Sequence, residues 1–326
     1  MATQRGNQLV TIFGGSGFVG RHAVRALAKK GYRIRAASRR PDLAGFLQPM
    51  GDVGQIQPVQ ANLRFPDSVR RAVEGADVVI NSVGILASGG AQTFKAVHAE
   101  GAGAVARAAR EAGARHLVHV SAIGASAKSS ANYARSKAAG EAAVLEAFPD
   151  AIILRPSIVF GPEDAFFNRF AAMARISPVL PLVGGGRTRF QPVYVGDVAA
   201  AIAAASGGAG TAGTVYELGG PEVLSFRELL ERTLDYAGRE RGLVSLPFWL
   251  AKLMALVTWP LPNALRPLTF DQVRLLQSDN VVGSDALKEG RTLAGLGIAS
   301  AQSIGSIVPG YLERFRPKGQ YSHYRG

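Results

Sequence analysis

The feature that most constrains this chain lies at residues 14–20. Gly14-Gly15-Ser16-Gly17-Phe18-Val19-Gly20 sets glycines three residues apart, after the apolar run Gln8–Phe13 and before a helix-forming stretch ending at Lys29-Lys30-Gly31. A strand that turns into a helix through such a run offers the unpaired N–H groups of the helix start to an anion. Gly14 suits the tight turn, Gly17 lets backbone approach a pyrophosphate, and Gly20 lets the helix pack close to the sheet. Ser16, Phe18 and Val19 fill the turn between them. Glycine spacing alone would fit a purely structural turn; the strand–turn–helix context points to dinucleotide binding.

The first 160 residues keep the same alternation. Apolar runs at Arg33–Ala37, Gln55–Gln60, Asp77–Ser82, His116–Ser121 and Ala151–Leu154 read as strands, the last stopped by Arg155-Pro156. Helical stretches cover Thr93–Ala112 and Asn132–Glu146. Strands alternating with helices give an α/β fold with a doubly wound parallel Rossmann sheet. Beyond residue 160, Gly161-Pro162, Pro178, Pro181 and Gly184–Gly186 break the chain into shorter pieces. A helix over Val193–Ala205, with Asp197 as N-cap, and a strand at Thr214–Leu218 are expected to complete the sheet domain at about 191–218. Ser225 and Glu228 form a capping-box pattern before a helix to Tyr236. Residues 161–190 and 219–326 are then a smaller, mixed C-terminal domain with a basic tail from Arg314.

The second strand ends in Ser38-Arg39-Arg40, and no Asp or Glu occurs between Gly14 and Asp42. An acidic residue there would hold the ribose 2′-hydroxyl of NAD; arginine suits the 2′-phosphate of NADP, so the expected cofactor is NADPH. The charge agrees: 20 Lys/Arg face 10 Asp/Glu in residues 1–160, against 17 and 14 in the rest. Tyr133 and Lys137 stand at i and i+4 on one helix face, where a nearby ammonium favours the phenolate and proton exchange with a carbonyl or alcohol. With no Cys, and with His22, His98, His116, His119 and His323 at no ligand spacing, no metal site or thiolate chemistry is expected. No basic run carries interleaved aromatics, which speaks against nucleic acid.

No apolar run reaches the ~18 residues of a spanning helix, and none of signal length precedes the first strand. Leu246–Val257 is strongly apolar, with Trp249 and Trp259 at its edges and Arg239, Arg241 and Arg266 to either side. It reads either as a membrane-interface helix or as a core helix of the small domain.

Together these residues resemble the short-chain dehydrogenase/reductase superfamily, in its extended and atypical branch, over most of the chain to about residue 235. The glycine run, Tyr133 with Lys137, Arg155–Pro162 and Val193–Val198 occur in that family's order. The resemblance implies that Asn62 and Leu63 lie near the adenine and that Val83 and Gly84 line the cofactor. It implies further that Lys137 contacts the nicotinamide ribose, with Pro156, Ser157 and Ile158 beside the nicotinamide. Two departures stand out. Asn62 replaces the family's usual Asp, and the catalytic Ser/Thr position falls on Ile123, leaving Ser121 as a substitute two residues earlier.

His119–Asp164 and Phe167-Asn168-Arg169-Phe170 resemble more closely the NADPH-binding accessory subunits of respiratory complex I. Members of that family hold NADPH without known turnover, at the junction of the peripheral and membrane arms. This implies a non-catalytic accessory subunit with complex I partners and a lipid surface nearby. The expected location is peripheral, on the cytoplasmic face of a bacterial inner membrane. Two other readings stay open. One is an NADPH-dependent reductase or epimerase with Tyr133 as acid/base, Lys137 as its modulator and Ser121 as polariser. The other is an NADP(H) redox sensor.

Overall fold

The computed structural model describes residues 8–258 and 268–317. Its first compact unit comprises residues up to Pro156, Val195–Leu218 and Gly283–Ser300; the second comprises Ser157–Tyr194, Gly219–Val282 and the chain from Ala301. The expected boundaries had left 283–300 with the smaller domain. That stretch instead covers an edge of the central sheet.

In the first unit the chain runs β1 (Leu9–Phe13), α1 (Phe18–Lys29), β2 (Arg33–Ser38), β3 (Ile56–Gln60), α2 (Pro66–Val73) and β4 (Val78–Asn81). A π-helical turn (Lys95–Glu100) leads into α3 (Gly101–Glu111), followed by β5 (His116–Val120), α4 (Asn132–Ala147) and β6 (Ile152–Pro156). The second unit then supplies β7 (Val159–Phe160), α5 (Phe167–Ile176), β8 (Val179–Val183), β9 (Arg189–Phe190) and β10 (Val193–Tyr194). The chain returns to the first unit for α6 (Val195–Ser206) and β11 (Val215–Leu218). It closes with β12 (Leu224–Ser225), α7 (Phe226–Tyr236), β13 (Gly242–Leu246), α8 (Phe248–Val257), α9 (Phe270–Leu275), α10 (Ser284–Lys288) and α11 (Ile304–Leu312).

The central sheet has seven strands in the order β11-β6-β5-β4-β1-β2-β3, and every pairing is parallel. Such strands need cover on both faces, which explains why all four residues of β4 are buried. Phe13, Val79 and Leu117 share one core with α2, α3 and α4. The alternate residues Ile12, Ile80 and Val118, fully buried, serve the opposite face, where α1 and α6 pack together. The chain leaves β1 toward β2 and β3, then returns to β4 on the other side. That reversal opens a crevice at the carboxyl ends of β1 and β4, where a ligand of such a sheet lies.

Several local expectations shift. The helix expected from Thr93 starts as the π turn. Asp197 sits inside the first turn of α6 rather than capping it, because the helix begins at Val195. Strand β6 continues through Arg155 and Pro156, since β11 pairs alongside both. Beyond β11, the Gly283 N–H donates to Glu217 at 2.8 Å, and the Glu217 N–H to the Arg291 carbonyl at 3.0 Å. The exposed edge of the sheet is thereby covered.

The second unit is built on two-stranded pairs, β7 with β10, β8 with β13 and β9 with β12. Its core joins Phe160, Phe167, Leu180, Leu182, Leu229, Leu230, Val308 and Leu312 from strands and helices α5, α7 and α11. The capping box of α7 forms as its sequence indicates, with the Ser225 N–H donating to Glu228 at 2.7 Å. Helix α8 buries only Ala251 and Ala255. Trp259, Arg266 and the tail beyond Pro317 lie outside the described residues.

Candidate dinucleotide-binding site

The turn between β1 and α1 is fixed by backbone alone. Gly14 has φ +79°, a conformation in which a side chain is strained. Its N–H donates to the Ala37 carbonyl at 3.0 Å, and its own carbonyl accepts from the Gly17 N–H at 2.9 Å. A Cβ on Gly20 would stand 2.0 Å from the Gly14 oxygen, so no other residue fits. Gly17 caps α1 without a side-chain hydrogen bond, and the first turn holds no carboxylate. The positive end of the helix is therefore presented bare beside Ser16, Phe18 and Val19. Arg21 folds back to donate to the Ser16 carbonyl at 3.1 Å.

At the end of β2 the two arginines part company. Arg40 is a bidentate partner of Asp42, at 3.1 and 2.8 Å, and its hydrogen bond holds the Asp42 carboxyl below the usual carboxylate range. Arg39 is exposed and makes no hydrogen bond or ion pair among the described residues. The Ser38 hydroxyl is buried without a partner. Asn62 and Leu63 follow β3, half-buried. The Asn62 side chain accepts from the Arg64 N–H at 3.2 Å, so it shapes its own turn.

Beyond β4, the Ser82 hydroxyl donates to the Phe13 carbonyl at 2.8 Å, and Asn81 accepts from the Val83 N–H at 3.2 Å. Gly84 follows, exposed. The Ile85 N–H then donates to Nε2 of His98 at 3.0 Å. Since a backbone N–H can only donate, Nδ1 of His98 carries the ring proton and points it at the Ser136 hydroxyl, 2.9 Å away. Ser136 in turn donates to the Tyr133 carbonyl at 2.7 Å. His98 stands in the π turn, a feature frequent at functional sites. Sequence reasoning passed over it, having weighed histidines only as metal ligands.

Tyr133 is half-buried, edge-on to His98 and Phe94 with ring centroids 5.5 and 6.0 Å away. Lys137 is buried and donates to the Val120 carbonyl at 3.1 Å. Burial lowers Lys137 to about 8, partly opposed by Glu141, and lowers His98 and His119 to about 3, with Lys137 adding to both. Burial also pushes Tyr133 up to about 12. The expected phenolate-favouring effect of Lys137 is thus outweighed, and the phenol stays protonated at neutral pH.

Ser121 is buried with its hydroxyl unpartnered among the described residues, and Ile123 is buried just beyond it. Pro156 ends β6 in the first unit. Ser157 and Ile158 open the second, where both hydrogen-bond to the Asn280 side chain, at 2.7 and 3.1 Å. Gly14 to Gly20, Ser38, Val83, Gly84, Ser121, Tyr133, Lys137 and Pro156 are therefore brought together by one unit, around the carboxyl edge of one sheet.

The residues fit a dinucleotide. The polar atoms Ser38 Oγ, Asn81 Nδ2 and Ser121 Oγ, unpartnered among the described residues, end or follow β2, β4 and β5, beside a glycine turn packed so closely on α1 that a Cβ on Gly20 would strike the Gly14 carbonyl. The comparisons agree. The chain is 39% identical over 291 residues to the mitochondrial NADH dehydrogenase [ubiquinone] 1 alpha subcomplex subunit 9 of Arabidopsis thaliana, covering 86% of this chain and 72% of that one. It is 39% identical over 196 residues to a ceramide reductase of Caulobacter vibrioides, covering 60% of each. An Escherichia coli NADPH-dependent quinone oxidoreductase solved with NADPH shares the fold, with TM-score 0.71 at 20% identity, covering 93% of this chain and 99% of that one. The sequence profile of the NAD dependent epimerase/dehydratase family matches residues 10–219. With that match over most of the chain, and the glycine turn and sheet topology to support it, the chain belongs to the NAD dependent epimerase/dehydratase family.

Proposed function

We propose that this protein is an accessory, non-catalytic NADPH-binding subunit of a respiratory NADH:quinone oxidoreductase. The observation that carries the reading is a split within one site. The glycine turn that would cradle a dinucleotide is complete, while the proton-transfer set departs from the family's pattern. The family resemblance puts Ile123 at the position of the polarising hydroxyl, and the Lys137 ammonium donates to the Val120 carbonyl. The similarity to the plant subunit over 86% of the chain supports the assignment to that complex.

Gly14, Ser16, Gly17, Phe18, Val19 and Gly20 hold the pyrophosphate at the start of α1. Ser38 and Arg39 take the 2′-phosphate, Arg40 being occupied by Asp42. Asn62 and Leu63 border the adenine, while Val83, Gly84, Ser121, Tyr133 and Lys137 line the nicotinamide half with Pro156, Ser157 and Ile158. No helix among the described residues is long and apolar enough to cross a membrane. The subunit sits peripherally at the junction of the two arms, on the cytoplasmic face of a bacterial inner membrane, with the apolar face of α8 toward lipid. The test is affinity purification through this chain from gently solubilised membranes. Co-purifying NADH:quinone oxidoreductase activity and releasable NADPH are expected; a lone soluble protein overturns the reading.

A second reading keeps Tyr133 and Lys137 as the proton-transfer pair of an NADPH-dependent reductase, and the ceramide reductase relative favours it. NADPH consumption with a panel of long-chain ketones, abolished in Tyr133→Phe, would establish it.

A further inference from the structure

We propose that an arginine-lined cavity in the second unit binds the phosphate of an anionic phospholipid headgroup. The cavity has a volume of about 640 Å³ and is lined only by second-unit residues, so it is separate from the dinucleotide cradle. Three arginines line it, Arg187, Arg189 and Arg227. Asp279 anchors Arg189 at 2.7 Å, and Glu231 stands 3.6 Å from Arg227. Arg187 has no hydrogen bond or ion pair among the described residues. The one carboxylate in the lining, Glu228, is turned onto the N–H and hydroxyl of Ser225, both at 2.7 Å. Three arginines and one carboxylate line the cavity; with Asp279 and Glu231 beside two of the arginines, Arg187 is left as the guanidinium open to a ligand, and Ser245 is a further hydrogen-bonding group. Guanidiniums match phosphate oxygens in bidentate fashion, which makes phosphate the fitting ligand class.

The floor is glycine for a reason. Gly186 has φ +73°, and a Cβ there would stand 2.8 Å from Leu182 and 3.0 Å from Arg227. Its neighbour Gly184 lies under the Phe248 ring, whose Cζ would be 2.3 Å from a Cβ. The cavity therefore abuts the start of α8. At about 100° per residue, Trp249, Leu253, Leu256 and Val257 fall within a ~100° arc, opposite the buried Ala251 and Ala255. Those four are 67, 47, 58 and 71% exposed. Val223, 49% exposed, is the apolar side chain in the cavity lining. An apolar helix too short to span, beside a cationic cavity, matches acyl chains next to a phosphate headgroup. The exposed apolar face of α8 beside the arginines commits the reading to an anionic lipid. The inference rests on the lipid-facing reading of α8, not on the assignment to an oxidoreductase.

The experiment is flotation of the purified full chain with phosphatidylcholine vesicles, with and without phosphatidylglycerol. Wild type is expected to prefer the anionic vesicles. Arg187→Gln/Arg227→Gln should lose binding about 25-fold, roughly fivefold per guanidinium. Arg25→Gln/Arg110→Gln, an equal charge change on exposed first-unit helices, should lose much less. Arg187→Gln alone breaks no observed contact and guards against misfolding, and an unchanged NADPH-induced thermal shift reports an intact first unit. Equal losses in the two double variants refute the cavity and leave diffuse charge attraction. Thermal stabilisation by soluble glycerol 3-phosphate, without vesicle binding, refutes the lipid in favour of a free phosphate compound. Wild type that floats with neither vesicle refutes the lipid-facing helix and the cavity together. Equal binding to both vesicles, weakened by Trp249→Ala, refutes the cavity and leaves the helix reading standing.

Discussion

His98 and His119 should make this protein acid-labile, by an amount that follows from their surroundings. Both are 2% exposed, and burial with the nearby Lys137 ammonium holds each at about 3, against an ordinary 6.5. The folded state keeps both neutral where the unfolded chain would protonate them. Their contribution is therefore fully present above the unfolded value of 6.5 and is lost progressively as pH falls from there toward 3. Between about pH 7.5 and pH 5, linkage takes away about 2 kcal/mol for each residue, or about 4 kcal/mol together. The structure shows why relaxation cannot spare His98. Its Nε2 accepts the Ile85 N–H, so a proton there must break that bond. Urea unfolding at the two pH values should show a midpoint lower by ~1 M or more at pH 5. His98→Gln keeps an acceptor for Ile85 without a titrating ring, and His119→Leu removes two unpartnered nitrogens. The double variant should lose most of the pH dependence. An acid-induced fall as large in the double variant as in wild type would refute the argument.

Arg39→Ala should weaken NADPH binding about tenfold in titration calorimetry while leaving NADH unchanged, and Arg40→Ala should cost less because Asp42 already occupies it. Gly20→Ala forces a Cβ to 2.0 Å from a carbonyl oxygen, and should abolish nucleotide binding and cost about 3 kcal/mol in urea unfolding. Glu141→Ala should cost about 3 kcal/mol, because it removes the two hydrogen bonds that hold the Arg155 guanidinium at 2.8 and 2.6 Å and leaves it only the longer pair with Glu217 at 3.6 Å; added salt should barely change that figure, since the Glu141 side chain is only 7% exposed.

The parts of the fold legible in sequence are those fixed by local chemistry. Strands β4 and β5 are apolar runs bounded by polar or small residues, and they appear within a residue of their expected limits. Gly31, with φ +83°, ends α1 as its place after two lysines indicates, and Ser225 with Glu228 caps α7. What escaped depends on contacts distant in sequence. The π turn keeps helical composition and shows only in the backbone, where the Gly101 N–H reaches back five residues to the Ala96 carbonyl. The segment 283–300 joins the first unit through Glu217 and Arg291, a pairing no local pattern announces. The spacing of Tyr133 and Lys137 places both on one helix face but says nothing of burial, which reverses the expected titration of the phenol. Sequence reading takes Arg39 and Arg40 together; only the structure separates them, by pairing Arg40 with Asp42 two residues on.

The division of labour within the site would let a dinucleotide cradle persist without turnover. Holding the pyrophosphate needs glycines and a bare helix start, and these belong to β1 and α1. Proton transfer needs hydroxyls and an ammonium placed at the reacting carbon, and these belong to the β5–α4 segment. Changes such as Ile123 and a lysine turned onto the Val120 carbonyl touch the second set and leave the first alone. Binding that is equally strong in ground and transition states accelerates nothing, yet it still stabilises the protein that does the binding. A nucleotide present at a thousand times its Kd adds about 4 kcal/mol to the folded state. That is a large part of the 5–15 kcal/mol typical of a domain. Its contacts would run along the carboxyl ends of β1, β2, β4 and β5, tying together the sheet edge where Ser38, Asn81 and Ser121 keep polar atoms unpartnered. On the proposed reading, a subunit that holds a junction would gain more from that clamp than from a reaction.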